Sequence, residues 1–414
     1  MAVSTALDHR DLDGALTAYE RVRTSDGDDT VLLARISELL LENEASGDDA
    51  ERRSAALHEL ALAGTSGHAA LERLGATGSV HALAILAEAG SDSARRALRD
   101  HIDSEDPEVR AAAVLGLSID SDRERLLGFA AESSARVRAA AVGRLGELAP
   151  DSAARAVLEE RARIDPDPMV RGAAVRALGS FATAAIELLR ERLSDPIASV
   201  RMAAVAALLH ADRERGRAVL ASLLATPSSA QGIEAARLLG TTVERDEPPT
   251  DQDASAARAY LTSALVAGDP SLRSQAAVAL STLRGQTDLR AALSQALVRE
   301  TDASVRLAIA RALLPLPGGE PDALEAIQAI AATEMSMTSL QASILLATRH
   351  ESGGVDRVEA AMHGADVSLR RIAARALARD AMMPARAAPA LEDSDALVRI
   401  HAAGGILAAD AAAQ

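Results

Sequence analysis

The 414-residue chain has no cysteine, no tryptophan and no lysine, and its only aromatic residues of the large type are Tyr19, Phe129, Phe181 and Tyr260. Each absence removes a class of function. Without cysteine there is no disulfide framework, no thiol nucleophile and no cysteine-ligated zinc. Without lysine there is no Walker A phosphate loop and no Schiff-base chemistry. All 44 basic residues are therefore arginine; against 60 acidic residues they leave a net charge of −16, which argues against DNA or RNA as the main partner. Apolar runs are short too. The longest uninterrupted one, Met202–Leu209, spans eight residues, far below the roughly 18 that a membrane-crossing helix needs. No membrane insertion is expected. Neither GxSxG nor HExxH nor a glycine-rich phosphate loop occurs. The first residues, MAVSTALDHRDLDG, lack the basic and apolar regions of a signal peptide. The expected compartment for the sequence as written is the cytoplasm, with the periplasm as the alternative if a leader has been removed.

What the chain has in abundance is alanine, 95 residues, arranged in a repeat. The segments DPEVRAAAVLGL, SARVRAAAVGRLG, DPMVRGAAVRALG, SVRMAAVAALL, DPSLRSQAAVAL, ASVRLAIARALL, VSLRRIAARAL and ALVRIHAAGGIL share the pattern Asp-(Pro)-x-(Val/Leu)-Arg-x-x-Ala-x-x-Ala-Leu. Their anchor arginines are Arg110, Arg138, Arg171, Arg201, Arg273, Arg306, Arg370 and Arg399, and weaker copies centre on Arg53, His81, Gly232 and Gln341. Twelve units result. Successive anchors lie 28 to 35 residues apart, except for the 41 between Gly232 and Arg273.

Within a unit, an apolar residue at −1 and small or apolar residues at +3, +6 and +7 from the anchor share one helical face. Aspartate stands at −4 seven times, as Asp49, Asp106, Asp167, Asp269, Asp302, Asp366 and Asp395. That is the N-cap position, where a carboxylate accepts backbone N–H bonds. Pro107, Pro168 and Pro270 then fall at the first helical position, where a missing N–H costs nothing. A second amphipathic stretch, such as AARAVLEERARI, separates each anchor segment from the next. Each unit is thus a helix pair. One pair cannot bury its apolar face alone, so the units stack into a solenoid, and alanine at the facing positions lets helices approach closely.

The unit length and the Asp–Arg–Ala–Leu pattern resemble HEAT repeats of the short bacterial type named after phycobilisome lyases, from about residue 50 to 410. The resemblance implies an all-α, right-handed α–α superhelix of about twelve HEAT-like pairs. It also implies that capping aspartates and anchor arginines form a ladder of hydrogen bonds between layers, with Asp106–Arg110 and Asp269–Arg273 as examples. The expected ladder comprises Asp106, Arg110, Arg138, Asp167, Arg171, Arg201, Asp269, Arg273, Asp302, Arg306, Asp366, Arg370, Asp395 and Arg399, with weaker stacking at His81, Gly232 and Gln341.

Four regions are expected. Residues 1–48 form N-terminal capping helices, similar to part of a TPR pair around Ala15, Tyr19 and Arg21. Repeats fill 49–240, an acidic proline-containing loop or hinge fills 241–254, and further repeats fill 255–414. Two His-Glu dipeptides, His58-Glu59 and His350-Glu351, invite comparison with HEAT-like di-iron hydroxylases, but they stand five and nine residues after their anchors. Unmatched registers do not build a symmetric metal cage, so no metal, cofactor or catalytic residue is assigned. The expected function is a non-catalytic scaffold that binds a protein partner on its concave face; the alternative is a HEAT-like enzyme or enzyme subunit, bilin-lyase-like or hydroxylase-like. Position +5 of the anchor helix should face outward, and it carries Arg176, Arg237, Arg311 and Arg375, with Arg144 at +6 of its own unit. These five are the candidate partner-binding residues, and an acidic protein segment is the partner they suit.

Overall fold

The computed structural model describes residues 2–26, 29–119, 121–241, 251–283, 289–380 and 383–413. Among them are 26 α-helices and four short 3-10 segments, with no strand. All twelve anchor positions fall in helices. Arg53 lies in Ala50–Leu62, His81 in Val80–Glu88, Arg110 in Pro107–Leu115, Arg138 in Ala135–Leu145, Arg171 in Pro168–Leu178 and Arg201 in Ala198–Ala211. Gly232 lies in Ala230–Gly240, Arg273 in Pro270–Ser281, Arg306 in Ala303–Leu313, Gln341 in Met337–Thr348, Arg370 in Val367–Arg379 and Arg399 in Ala396–Ala413. All seven aspartates at −4 cap their helices: Asp106 accepts from the Glu108 N–H, Asp302 from Ser304 and Val305, and Asp395 from Val398. Pro107, Pro168 and Pro270 each open a helix.

Packing divides the chain into two units, residues 95–326 and residues 1–94 with 327–414. In the first, the anchor helices of Arg110, Arg138, Arg171 and Arg201 lie directly side by side, as do those of Gly232, Arg273 and Arg306. The intervening helices Ser152–Ile164 and Ile186–Arg192 barely touch each other. A row packed tightly on one side and loosely on the other curves, with the anchor helices on its concave side. Val137, Ala141 and Leu145 are fully buried, as are Val170, Ala174 and Leu178, at −1, +3 and +7. Gly146 shows how close the approach is: a Cβ there would stand 2.9 Å from the Ala177 Cβ of the next anchor helix.

In the second unit the two ends of the chain meet. The Thr30–Ala45 helix, with Leu33, Ile36, Leu40 and Leu41 buried, packs against both the Ala50–Leu62 helix and the last anchor helix, Ala396–Ala413. That last helix has 18 residues and a mean hydropathy of 1.3, enough by length and composition to cross a membrane. It contains no long uninterrupted apolar run, because Arg399, His401, Gly404, Gly405 and Asp410 break it. It packs as a core helix, 56% buried, against the helices Thr30–Ala45, Ala50–Leu62, Gly64–Ala76 and Val367–Arg379. Of the expected loop 241–254, residues 242–250 lie outside the described residues, and a helix begins at Asp251.

Candidate functional site

The anchor arginines form a ladder, but its acids are not the expected ones. In Arg110, Arg138, Arg171, Arg273 and Arg370 the guanidinium divides its donors between two tasks, while the hydrogen bonds of Arg53 and Arg306 go to backbone carbonyls. In Arg138, Nη1 donates to the carbonyls of Glu132 and Ser133, six and five residues back, at 2.9 and 2.8 Å. Its Nε and Nη2 form a fork on the Asp165 carboxylate of the next layer, at 2.8 and 2.9 Å. Asp165 accepts in addition from the Asp167 N–H at 3.0 Å, and its own carbonyl takes Nη1 of Arg171 at 3.0 Å. Arg171 then forks onto Asp195, whose carbonyl takes Arg201 at 2.6 Å. Arg110 reaches Glu132 at 2.9 Å, Arg273 reaches Glu300 at 2.6 Å, and Arg370 reaches Asp393 at 2.9 Å, in the same register.

The bridging acid thus stands at −6 of the next unit, two residues before the N-cap. Asp106, Asp167, Asp269, Asp302 and Asp366 cap their own helices, and the acids that anchor arginines meet in the next layer are Glu132, Asp165, Asp195, Glu300 and Asp393. Asp395 does both kinds of work, capping its helix and pairing with Arg371 at 3.2 Å. Only arginine can fill the anchor role, because two carbonyls and a carboxylate fork together need its full set of planar donors. Burial would raise the Asp165 carboxyl, yet the Arg138 fork and the Asp167 N–H hold it below the ordinary carboxylate range; the same balance lowers Asp195 and Asp393. Glu300 is lowered first by its hydrogen bonds from Arg273.

A sequence signal for these acids exists. Where the preceding anchor is not arginine, position −6 is Ser104, Ala267 or Gly364. After Arg201 the −6 residue is Thr226, and the guanidinium is met instead by the side-chain oxygen of Gln231, once that amide is turned to face it.

The Gly232 layer replaces the arginine altogether. Tyr260 enters the space where an anchor side chain would begin, so that a Cβ at Gly232 would collide with its hydroxyl. That hydroxyl donates to the Thr226 carbonyl at 2.9 Å and accepts the Ser229 N–H at 3.0 Å. Thr226 is the −6 carbonyl, the one an arginine would take. Weaker stacking was expected here; a tyrosine from the following helix serves the turn instead.

The five candidate partner-binding arginines separate into two groups. Arg144 is mostly buried, with Nη2 on the Leu117 carbonyl at 2.9 Å and Nη1 on Glu147 at 2.6 Å. Arg237 is half-buried and forks onto Glu234. Arg375 lies 3.5 Å from the buried Glu59. Arg176 and Arg311 are exposed and have no ion-pair partner among the described residues. Between them along the same +5 row lie Ala206 and Val278, also exposed, and Gly143 precedes them. Of the His-Glu dipeptides, His58 is exposed while Glu59 is buried and meets Nδ1 of His401 at 2.7 Å, so the two members point to different surroundings. Among the described residues, no three His, Asp or Glu side chains gather as metal ligands.

Comparison with known proteins agrees with this geometry. A family profile for HEAT repeats matches residues 98–179, 123–209 and 159–240. Human deoxyhypusine hydroxylase in complex with glycerol is 21% identical over 66% of this chain and 98% of its own, with a TM-score of 0.23. The CpcE–CpcF complex of phycocyanin lyase from Nostoc is 17% identical over 71% of this chain and 94% of that one, with a TM-score of 0.28. A Kap95p structure with RanGDP is 12% identical over 98% of this chain and 60% of that one, with a TM-score of 0.36. The curated proteins give no match. At such TM-scores the solved structures carry no argument about activity. Residues 98–240 match HEAT repeats, and helix pairs of the same capped, arginine-anchored build continue on both sides of them.

Proposed function

We propose that the chain is a non-catalytic scaffold that binds a protein partner along the anchor-helix face of residues 95–326, and that the partner offers an acidic segment. The observation that supports this reading is the pair Arg176 and Arg311. They are exposed and share the +5 register, on a row that also carries the half-buried, Glu234-paired Arg237 and is otherwise small or aliphatic. An unpaired guanidinium on such a row offers a bidentate site to a carboxylate. Arg237 can join them by exchanging Glu234 for a partner's acid. Arg144 and Arg375 drop out, since each already holds a group of its own fold.

The test uses labelled peptides rich in glutamate and aspartate, with charge-scrambled and basic controls, measured by fluorescence anisotropy at low and high salt. Binding should be specific to the acidic peptides and weaken with salt. Exposed ion pairs contribute at most about 1 kcal/mol each, so the single variants should change little. Arg176→Glu with Arg311→Glu should weaken binding about tenfold or more, equivalent to ~1.4 kcal/mol, with the melting temperature nearly unchanged. Equal binding by the double variant would sink the assignment of this face. Metal analysis and visible absorbance of the purified chain separate the scaffold from the enzyme reading: stoichiometric iron or a bound bilin would favour the enzyme.

A further inference from the structure

The seam inside the unit of residues 1–94 and 327–414 is made by parts of the chain far apart in sequence. At its centre is the Glu59 carboxylate, almost wholly buried, 2.7 Å from His401 Nδ1 and 3.5 Å from Arg375 Nε. Gly404 makes room for it, because any Cβ there would collide with the carboxylate. Arg399, the last anchor, finds its acid in Glu44 at 3.8 Å, where five other anchors use the −6 acid of a following unit. Around this polar centre the apolar face of Ala396–Ala413 lies on Thr30–Ala45 and Ala50–Leu62. The first layer therefore receives the last helix as a following repeat would.

We propose that the same seam forms between two copies of this chain: the Ala396–Ala413 helix of one copy docks on the Thr30–Ala45 and Ala50–Leu62 helices of another, giving an exchanged dimer. Two features carry this. The fit of donor and acceptor surfaces is already present within one chain, and no covalent bond ties them. Once the Ala396–Ala413 helix leaves, its apolar face cannot remain in water at low cost, and a second copy presents a surface already shaped for it. Exchange of an identical element is the least costly route from a closed monomer to a dimer.

The chain's lack of cysteine makes the test direct. A Cβ at Gly64 would lie 3.4 Å from the Ala411 Cβ, just under the roughly 3.5–4.5 Å that a disulfide spans, and because Gly64 has a φ of 64° the variant's melting temperature is compared with that of the unmodified chain. The full-length Gly64→Cys, Ala411→Cys chain is unfolded, refolded over a range of concentrations, and only then oxidised. We expect an interchain 64–411 link, identified by peptide mapping, in a dimer-to-monomer ratio that grows in proportion to protein concentration. Light scattering on the unmodified chain should show the same growth. Oxidising the monomer before unfolding should prevent it, and Gly404→Leu, which denies Glu59 its place, should abolish it. Monomer at every concentration, by linkage and by light scattering, would overturn the proposal. So would dimers that the pre-oxidised or Gly404→Leu chains form as readily.

Discussion

The Arg138 layer and the Gly232 layer solve one problem in two ways. In both, the turn before the anchor helix leaves carbonyls that no helix satisfies. Arg138 takes two of them, but a buried guanidinium then needs an anion, so the next unit must supply Asp165. Tyr260 takes the Thr226 carbonyl with a neutral hydroxyl that needs no counter-charge, but its ring needs the volume that Gly232 leaves empty. One layer spends charge and couples itself to its neighbour; the other spends volume. The difference teaches that the repeated arginine is kept for the turn carbonyls first, and that the ion pair follows from its burial.

Acid should give the largest effect and divide the layers. A carboxyl whose folded pKa lies below its unfolded value contributes stability above about pH 4 that is lost as pH falls through the folded value. Asp165, Asp195, Asp393 and Glu300 are all of this kind. Lowering pH from 5 toward 2 should therefore loosen the Arg138 and Arg171 layers in hydrogen exchange, while the turn at Thr226–Ser229, which holds no carboxylate, loosens later. Equal loosening at both places would refute the comparison.

Next in size is the removal of one buried partner. Asp165→Ala leaves Arg138 without its anion and should cost about 3–5 kcal/mol, read as a fall in the urea midpoint. Replacing both by apolar residues of similar volume should cost far less. At the other layer, Gly232→Ala drives a methyl into the Tyr260 hydroxyl and should cost about 1–3 kcal/mol as overpacking. Tyr260→Phe strands the Thr226 carbonyl and the Ser229 N–H, for a loss in the same range of about 1–3 kcal/mol. The combination of Gly232→Ala with Tyr260→Ala should relieve the clash, so a double-mutant cycle that comes out additive would remove Tyr260 from the anchor's place. The smallest effect is at an exposed cap: Asp106→Ala should cost about 0.5–2 kcal/mol, clearly less than Asp165→Ala. A larger loss at Asp106 would return the ladder to the N-cap aspartates.

Much of this fold was legible because its determinants are local. Asp at −4, Pro at −3 and the apolar positions around each anchor lie within about three turns of one helix, and they located all twelve anchor helices. The bridging acids were less so. Asp165 serves an arginine 27 residues earlier, and its meaning appears only when position −6 is compared with the preceding unit's anchor. Tyr260 was out of reach for a stronger reason: its partner is a residue with no side chain. The seam of Glu59 with His401 joins positions 342 residues apart, and no periodicity within a unit points to it. Of the candidate site, the +5 register put Arg176 and Arg311 on the surface; Glu147 and Glu234 stand three residues from Arg144 and Arg237, a spacing local reading can see, whereas Glu59 beside Arg375 was out of its reach.

The ladder also sets rules for how many repeats the chain can hold. At Arg110, Arg138, Arg171, Arg273 and Arg370 the following unit brings an acid at −6, so these units join like connectors with a plug at one end and a socket at the other. Excising residues 165–194 would leave Arg138 facing Asp195, and the junction stays matched. Excising 300–334 instead would bring Arg273 up to Met335, and it would lose the carboxylate that Glu300 supplies. Gene duplications and deletions in such an array are therefore expected to cost less in some phases than in others, although the units have similar lengths and the same helix pairs.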